Sequence, residues 1–135
     1  MELVVDANIV MSTLIALTGD TCELLFLNSL SLIAPELLKE EVENHSKEIM
    51  EKSGLFEEDF KMALALIFSQ IEIIPFSEYE DFISEAKKYS PDSNDVVYFA
   101  LALQRMCSLW SNDKLLKKQE KVKVISTSEL IVLLK

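Results

Sequence analysis

Five short apolar segments, rich in β-branched residues, alternate along this sequence with longer segments of helical periodicity. The strand-like segments span residues 3–5, 30–34, 71–75, 108–110 and 122–125. Parallel strands cannot be joined by tight turns and need a long crossover connection, usually a helix. The alternation therefore predicts a three-layer α/β/α fold with a mainly parallel five-stranded sheet. In a doubly wound sheet of order 3-2-1-4-5, the first and fourth strands would be neighbours.

The segments between the strands have the periodicity and the capping residues of helices. We expect helices at residues 8–17, 21–27, 35–52, 56–70, 77–89, 92–107, 114–120 and 127–134. Ser77 and Glu80 have the spacing of a capping box, and Ser126 or Thr127 would cap the last helix. Because the chain has 135 residues and only 2 Gly and 3 Pro, we expect one domain covering residues 1–135.

Charge and cysteine content limit the partners and the compartment that we expect. The net charge of -10 argues, taken alone, against nucleic-acid binding, because phosphate contacts need cations. However, five of the 13 basic residues lie close together, at Lys114, Lys117, Lys118, Lys121 and Lys123. This group is equally compatible with a solvated surface and with attraction of phosphate. With no secretory leader, no membrane span and two cysteines in apolar helical segments, we expect a cytoplasmic protein with reduced thiols.

Four acids occupy positions that a helix or strand surface alone does not explain well. Asp6 follows the first strand, Asp113 follows the fourth, and Asp95 lies in the first turn of the helix before the fourth strand. At about 100° per residue, Glu41 falls on the apolar face of the predicted helix 35–52, and Glu48 falls there too. That face is formed by Leu37, Leu38, Val42, His45 and Ile49. A carboxylate on an apolar face is costly unless something pairs with it.

Carboxylates that converge on one cleft cannot all stay ionised without a counter-cation. An all-oxygen set favours Mg²⁺ or Mn²⁺ over zinc, and the single histidine leaves no His/Cys cluster to propose instead. Each acid also has an ordinary structural interpretation. Asp6 and Asp113 could be helix caps, Asp95 a first-turn acid, and Glu41 the partner of a lysine.

An ordered set of short motifs along nearly the whole chain resembles the PIN domain, the fold of many VapC-type toxin ribonucleases. The motifs are Val4-Val5-Asp6-Ala7-Asn8, Pro35-Glu36-Leu37-Leu38 leading to Glu41-Val42, Asp92 to Asp95 leading into Ala100-Leu101-Ala102-Leu103, Trp110-Ser111-Asn112-Asp113-Lys114, and Val124-Ile125-Ser126 before an apolar helix. No single motif is specific, but their order is.

The resemblance implies a ribonuclease that hydrolyses RNA phosphodiesters with one or two Mg²⁺ (or Mn²⁺) ions. The acidic quartet of the family maps onto Asp6, Glu41, Asp95 and Asp113. In this mapping the three aspartates are metal ligands, and Glu41 either ligates the metal or orients the attacking water. The supporting residues are Asn8, Asp92 and Ser111, and the candidates for substrate binding are Lys114, Lys117 and Lys118.

The resemblance also implies partners, and it leaves other functions open. A toxin would have an antitoxin partner, and a homodimer is expected, for which residues 62–68 could supply an apolar face. The alternative is a catalytically inactive PIN-like scaffold that binds RNA or protein. A receiver domain would need paired acids after the first strand, where Ala7 follows Asp6. A haloacid-dehalogenase-like phosphatase would need a second Asp where Asn8 stands.

Overall fold

In the computed structural model, which describes residues 1–134, five parallel strands form one sheet. They are β1 (Glu2–Val5), β2 (Ser31–Pro35), β3 (Ile71–Ile74), β4 (Ser108–Trp110) and β5 (Val124–Ile125). The sheet order is β3-β2-β1-β4-β5, with Val4 paired to Ile33 and Val5 to Trp110. The predicted fold class and strand order are therefore confirmed, and β1 and β4 are neighbours.

Eight helices connect and cover these strands within the described part of the chain. They are α1 (Ala7–Ile15), α2 (Asp20–Leu25), α3 (Leu37–Asn44), α4 (Ser46–Ser53), α5 (Glu57–Phe68), α6 (Ile83–Tyr89), α7 (Val96–Arg105) and α8 (Thr127–Leu134). Short 3₁₀ turns occur at Phe76–Glu78, Glu80–Phe82, Ser93–Asp95 and Lys114–Lys118. None of the helices in residues 1–134 combines the length and the apolar composition needed to cross a bilayer.

The two faces of the sheet pack against two separate layers of helices. Leu3 and Val5 point into a core formed with α1 to α5 and α8, whereas Val4 points into a second core formed with α6 and α7. This division follows from the alternation of side chains along a strand. Both cores are apolar, so all three strand residues are almost fully buried. The carboxyl ends of the strands remain as the edge where polar side chains can meet.

The prediction of one helix over residues 35–52 is wrong, because the chain breaks at His45. In a continuous helix the amide of His45 would donate to the carbonyl of Glu41. Instead, His45 Nδ1 contacts that carbonyl at 2.8 Å, and the His45 amide donates to Val42 at 3.2 Å. The break rotates the following turns, so Glu48 is exposed and paired with Lys52 at 2.7 Å. Its predicted place on the apolar face is wrong.

The predicted capping box at Ser77 and Glu80 does not form. The 3₁₀ turns at this position have no side-chain cap, because the chain bends to bury Tyr79, which is 2% exposed. A capping box does form at the start of α8. The Glu129 amide donates to Ser126 Oγ at 3.2 Å, and the Ser126 amide donates to Glu129 Oε1 at 3.0 Å. The other departures are shorter elements: the predicted helix 114–120 is a 3₁₀ turn, and the last strand covers two residues.

Candidate active site

Asp6 is the most buried acid at the carboxyl end of the sheet. Its amide donates to the carbonyl of Trp110 at 3.0 Å, which extends the pairing of β1 and β4 by one residue. The Asp6 side chain is 8% exposed and accepts a hydrogen bond from Ser111 Oγ at 2.6 Å. Burial raises the pKa of the Asp6 carboxyl, and the bond from Ser111 opposes that rise. Asp6 is thus fixed in position by the strand that lies beside its own.

Ser111 connects Asp6 with Asp113, the acid that follows β4. Ser111 is 1% exposed, and its hydroxyl oxygen accepts the amide of Asp113 at 3.1 Å while its proton goes to Asp6. Asp113 Oδ1 accepts the amide of Leu115 at 3.0 Å, so Asp113 also caps the 3₁₀ turn Lys114–Lys118. The capping role predicted as an alternative is therefore present. It uses one carboxylate oxygen and leaves Oδ2 for another partner.

Asp95 ends the 3₁₀ turn Ser93–Asp95 and lies directly before α7. Its pKa is raised to about 6, first by burial and then by the negative charges of Asp6, Asp92, Asp113 and Glu41. Since Coulomb interactions weaken with distance and are screened by salt, each of these four carboxyls lies close enough to Asp95 to affect it. Asp95 is thus the acid around which the other three predicted acids are grouped, with Asp92 in the turn before it.

Glu41 is held by Tyr98, a residue that the sequence analysis missed. Tyr98 Oη donates to Glu41 Oε1 at 2.6 Å, although the two residues are 57 positions apart. Burial raises the pKa of Glu41 and so does the charge of Asp6, whereas the Tyr98 bond lowers it. Burial and the neighbouring Glu41 also raise the pKa of the Tyr98 hydroxyl. The available signal was helical spacing, because Tyr98 follows Asp95 by three residues and would lie on the same side of a helix that begins there.

Some of the predicted supporting and basic residues line cavities, whereas others are only exposed on the surface. Asn8 is exposed and lines a cavity between α1 and α4. Asp92 is exposed and accepts the amide of Asn94 at 3.2 Å, so it caps its own turn. Lys114 and Lys117 line a second cavity of about 290 Å³ beside Ser111 and Asp113, and Lys117 is paired with Glu129. Lys118 is exposed and is not part of that cavity wall.

A comparison with protein-family models identifies the family of this chain. The model of the PIN domain matches residues 4–132, which include all four acids. The chain belongs to the PIN domain family. A comparison with curated proteins finds no significant match.

Two solved structures resemble this PIN domain along nearly its whole length. VapBC2 from Rickettsia felis, bound to a DNA fragment from its promoter, has a chain that is 20% identical, with a TM-score of 0.64. That alignment covers 93% of this chain and 98% of the other. A toxin–antitoxin complex from Klebsiella pneumoniae has a chain that is 16% identical, with a TM-score of 0.62, covering 93% and 97% of the two chains. At these identities the likeness concerns the fold.

The acids of this PIN domain fit a hard divalent cation by their chemistry. All the donors are oxygens, and their mutual repulsion favours the arrival of positive charge. Tyr98 occupies one carboxylate oxygen of Glu41 and leaves the other available, whereas the Asp6 carboxylate interacts with Ser111 and with the backbone amides of Ala7 and Asn8. Within residues 1–134, no three acid, histidine or cysteine side chains are close enough to ligate one ion directly. Mg²⁺ keeps several waters and commonly uses one or two carboxylates, so the set suits an ion bound partly through water.

Proposed function

We propose that this PIN domain is a divalent-metal-dependent ribonuclease that hydrolyses RNA phosphodiesters. The observation that carries the proposal is that Ser111 joins Asp6 and Asp113 directly after the paired strands β1 and β4. The raised pKa of Asp95, under the charges of acids from separate segments of the chain, agrees with this grouping. Clustered carboxylates that destabilise one another are characteristic of sites built for a task rather than for stability. Membership of the PIN domain family supports the same conclusion.

In the proposed mechanism, Asp6, Asp95 and Asp113 would hold Mg²⁺ or Mn²⁺, and Glu41 would ligate the ion or orient the attacking water. The chemistry that such an ion would supply is a water of lowered pKa and stabilisation of negative charge on the phosphate. The chain's own contribution is to keep its carboxylates in position. Ser111 fixes the side chain of Asp6 at 2.6 Å, and Tyr98 fixes that of Glu41 at the same distance. Hydrogen bonds of this kind limit the motion of the carboxylates, and metal-dependent hydrolysis requires carboxylates that are held in fixed positions.

The basic residues beside Asp113 would guide the RNA backbone. Lys114 and Lys117 line the cavity next to Asp113, and Lys118 follows them on the surface. The net charge of -10 repels RNA at long range, so local cations and the bound metal must provide the attraction. Asn8 and Asp92 are proposed as supporting residues at the edge of the acids.

We further propose that the protein is the toxin of a toxin–antitoxin pair and forms a homodimer. The two structural neighbours come from toxin–antitoxin assemblies, which supports an antitoxin partner here. Met62 and Leu66 on α5 are 65% and 56% exposed, and they could contribute to the dimer contact. Burying these exposed apolar side chains in a dimer contact would be favourable. Size-exclusion chromatography with light scattering at several concentrations tests whether the dimer forms.

The ribonuclease proposal is tested with the purified protein and single-stranded RNA oligonucleotides. We expect cleavage in Mg²⁺ or Mn²⁺ and none in excess EDTA, with activity restored when the metal is added back. Cleavage that persists in EDTA would overturn the role of the metal. Absence of cleavage with either metal, on RNAs of varied sequence, would overturn the ribonuclease.

One observation favours the alternative, a PIN-like scaffold without activity. The acids within residues 1–134 do not form a ready-made set of three direct ligands. A scaffold would bind RNA or protein but would not bind Mn²⁺ at this site. Calorimetric titration with Mn²⁺ separates the two functions: binding that Asp6→Asn removes supports the enzyme, whereas no binding supports the scaffold.

A further inference from the structure

A cavity of about 350 Å³ lies between α1 and α4. We call it the α1–α4 pocket, and the wall residues used below are Asn8, Met11, Ser12, Ile15, His45 and Ile49. Two of them adjoin the proposed catalytic residues along the chain. Asn8 follows Asp6 by two residues, and His45 follows Glu41 by one helical turn and contacts its carbonyl at 2.8 Å.

We propose that the α1–α4 pocket binds the base of the nucleotide next to the scissile phosphate, and so sets the sequence preference of cleavage. The inference rests on the proposed ribonuclease function, which it deepens. Single-stranded RNA is usually recognised through bases that leave the stack, contact apolar or aromatic side chains and form hydrogen bonds along their edges. The volume lies in the range typical of small-ligand sites.

The apolar part of the wall suits the flat face of a base. Ile49 is 2% exposed and forms part of the packed wall, while Met11 is half-buried and Ile15 is 36% exposed. A base covering these side chains would remove apolar area from water. Met11 is unbranched, so it can adjust to the shape of the ligand.

The polar part of the wall can hydrogen-bond the edge of a base. The carbonyl of Glu41 can only accept, so His45 Nδ1 must be the donor in their 2.8 Å contact. In a neutral imidazole this leaves Nε2 as an acceptor. The amide of Asn8 and the hydroxyl of Ser12 can each donate and accept. Together these groups provide both kinds of partner that base edges require.

The charges around the pocket favour a neutral base over a phosphate. Glu48 and Lys52 also line it, but they neutralise each other in an ion pair of 2.7 Å. The cavity that Asp113 lines is different, because all of its wall residues are polar or charged. They include Lys114 and also Lys117, which is paired with Glu129. An RNA strand crossing the acids would therefore have its backbone phosphate near the lysines and its base in the α1–α4 pocket.

The test is cleavage of RNA oligonucleotides that differ at one nucleotide next to the cut, including an abasic version. For the wild-type protein we expect one base to be preferred, measured as kcat/KM relative to the abasic substrate. Ser12→Phe fills the pocket from an exposed position of α1, and it should lower that ratio about 10-fold, a typical effect of losing the contacts of one base. The matched control Ser84→Phe, at an exposed position of α6, should keep the wild-type ratio.

The inference is overturned if wild-type cleavage shows no preference among bases, or if Ser12→Phe leaves the ratio unchanged. His45→Ala provides a second variant at an exposed position in case Ser12→Phe does not fold, and it should also lower the ratio. A ratio that neither variant changes would mean that the pocket has another occupant, such as a side chain of a partner protein.

A second measurement separates this inference from the proposed function. If the wild-type protein cleaves no RNA, methyl NMR of Met11 and Ile49 is followed during titration with the four ribonucleoside monophosphates and with ribose 5-phosphate. Shifts caused by a base-bearing nucleotide but not by ribose 5-phosphate support the pocket without any cleavage. Shifts that are absent, or that both ligands cause equally, overturn it.

Discussion

The two ends of the parallel sheet both carry acids, but only one end supplies them with a cation from the chain. At the amino end of β1, Arg105 contacts Glu2 at 3.3 Å, and it also contacts Glu78, from the turn that follows β3, at 3.4 Å. At the carboxyl end, the charges around Asp95 raise its pKa to about 6, and none of the ion pairs within residues 1–134 involves the four acids. Helix α7 joins the two ends, because it begins after Asp95 and ends at Arg105. The difference teaches that an acid cluster indicates function when its repulsion is left uncompensated.

The largest expected effect comes from removing an acid at the carboxyl end. Asp6→Asn and Asp113→Asn should each lower RNA cleavage by about 100- to 1,000-fold or more, since charge stabilisation of the reacting phosphate is lost. Circular dichroism should show a retained fold. Glu2→Gln is the matched control at the amino end and should cleave at close to the wild-type rate. Retained activity in both aspartate variants would contradict the assignment.

A smaller effect is expected from Tyr98→Phe, which leaves every acid in place. The variant removes the 2.6 Å hydrogen bond to Glu41 and so frees that carboxylate to move. Loss of such an orienting bond usually costs about 10–100-fold in metal affinity or activity. We expect kcat to fall and KM to change little, in steady-state kinetics at saturating Mg²⁺. Tyr89→Phe, which alters a half-buried tyrosine at the end of α6, is the control, and an equal loss there would argue against a positioning role.

The pH dependence of stability in the metal-free protein should reveal the repulsion among the acids at the carboxyl end of the sheet. The pKa of Asp95 is about 6 in the folded chain, above the ordinary value of 3.8, so the folded state binds more protons than the unfolded state between these values. Stability must therefore fall as pH rises through this window. After allowance for solvent screening, about 1–2 kcal/mol should be lost, or a few degrees in Tm.

Thermal melts at pH 5 and pH 7.5 in EDTA, repeated with millimolar Mn²⁺, measure this effect. Mn²⁺ should raise the Tm at pH 7.5, because a ligand of the folded state stabilises it. Asp95→Asn should reduce the difference between the two pH values. A metal-free protein that is more stable at pH 7.5 than at pH 5 would contradict the prediction.

The smallest effect is expected at the amino end. Arg105→Gln leaves Glu2 and Glu78 without their cation, but the pairs are partly exposed and each should contribute less than about 1 kcal/mol. We expect a slightly lower Tm, measured by calorimetry, and RNA cleavage close to that of the wild type. A large loss of cleavage in this variant would mean that the two ends of the sheet are coupled, and it would contradict the view that they act independently.

Local sequence patterns determined the strands, most helices and the position of Asp6 and Asp113 at the carboxyl ends of their strands. Apolar β-branched runs and helical spacing depend on neighbours within a few residues, so the sequence alone predicts them. Asp6 and Asp113 follow β1 and β4 directly, and parallel strands bring their carboxyl ends to one edge. The strand order is as predicted, so Asp6 and Asp113 follow neighbouring strands.

Tertiary structure alone decided which side chains hold these acids. Tyr98 meets Glu41 across 57 positions, and Ser111 meets Asp6 across 105. The break at His45 likewise depends on an imidazole that competes with the backbone for the Glu41 carbonyl, and it leaves Glu48, which follows the break, exposed to solvent. The periodicity of a sequence predicts only the direction of a side chain within one continuous helix or strand. Contacts between distant segments are decided by packing of the whole chain.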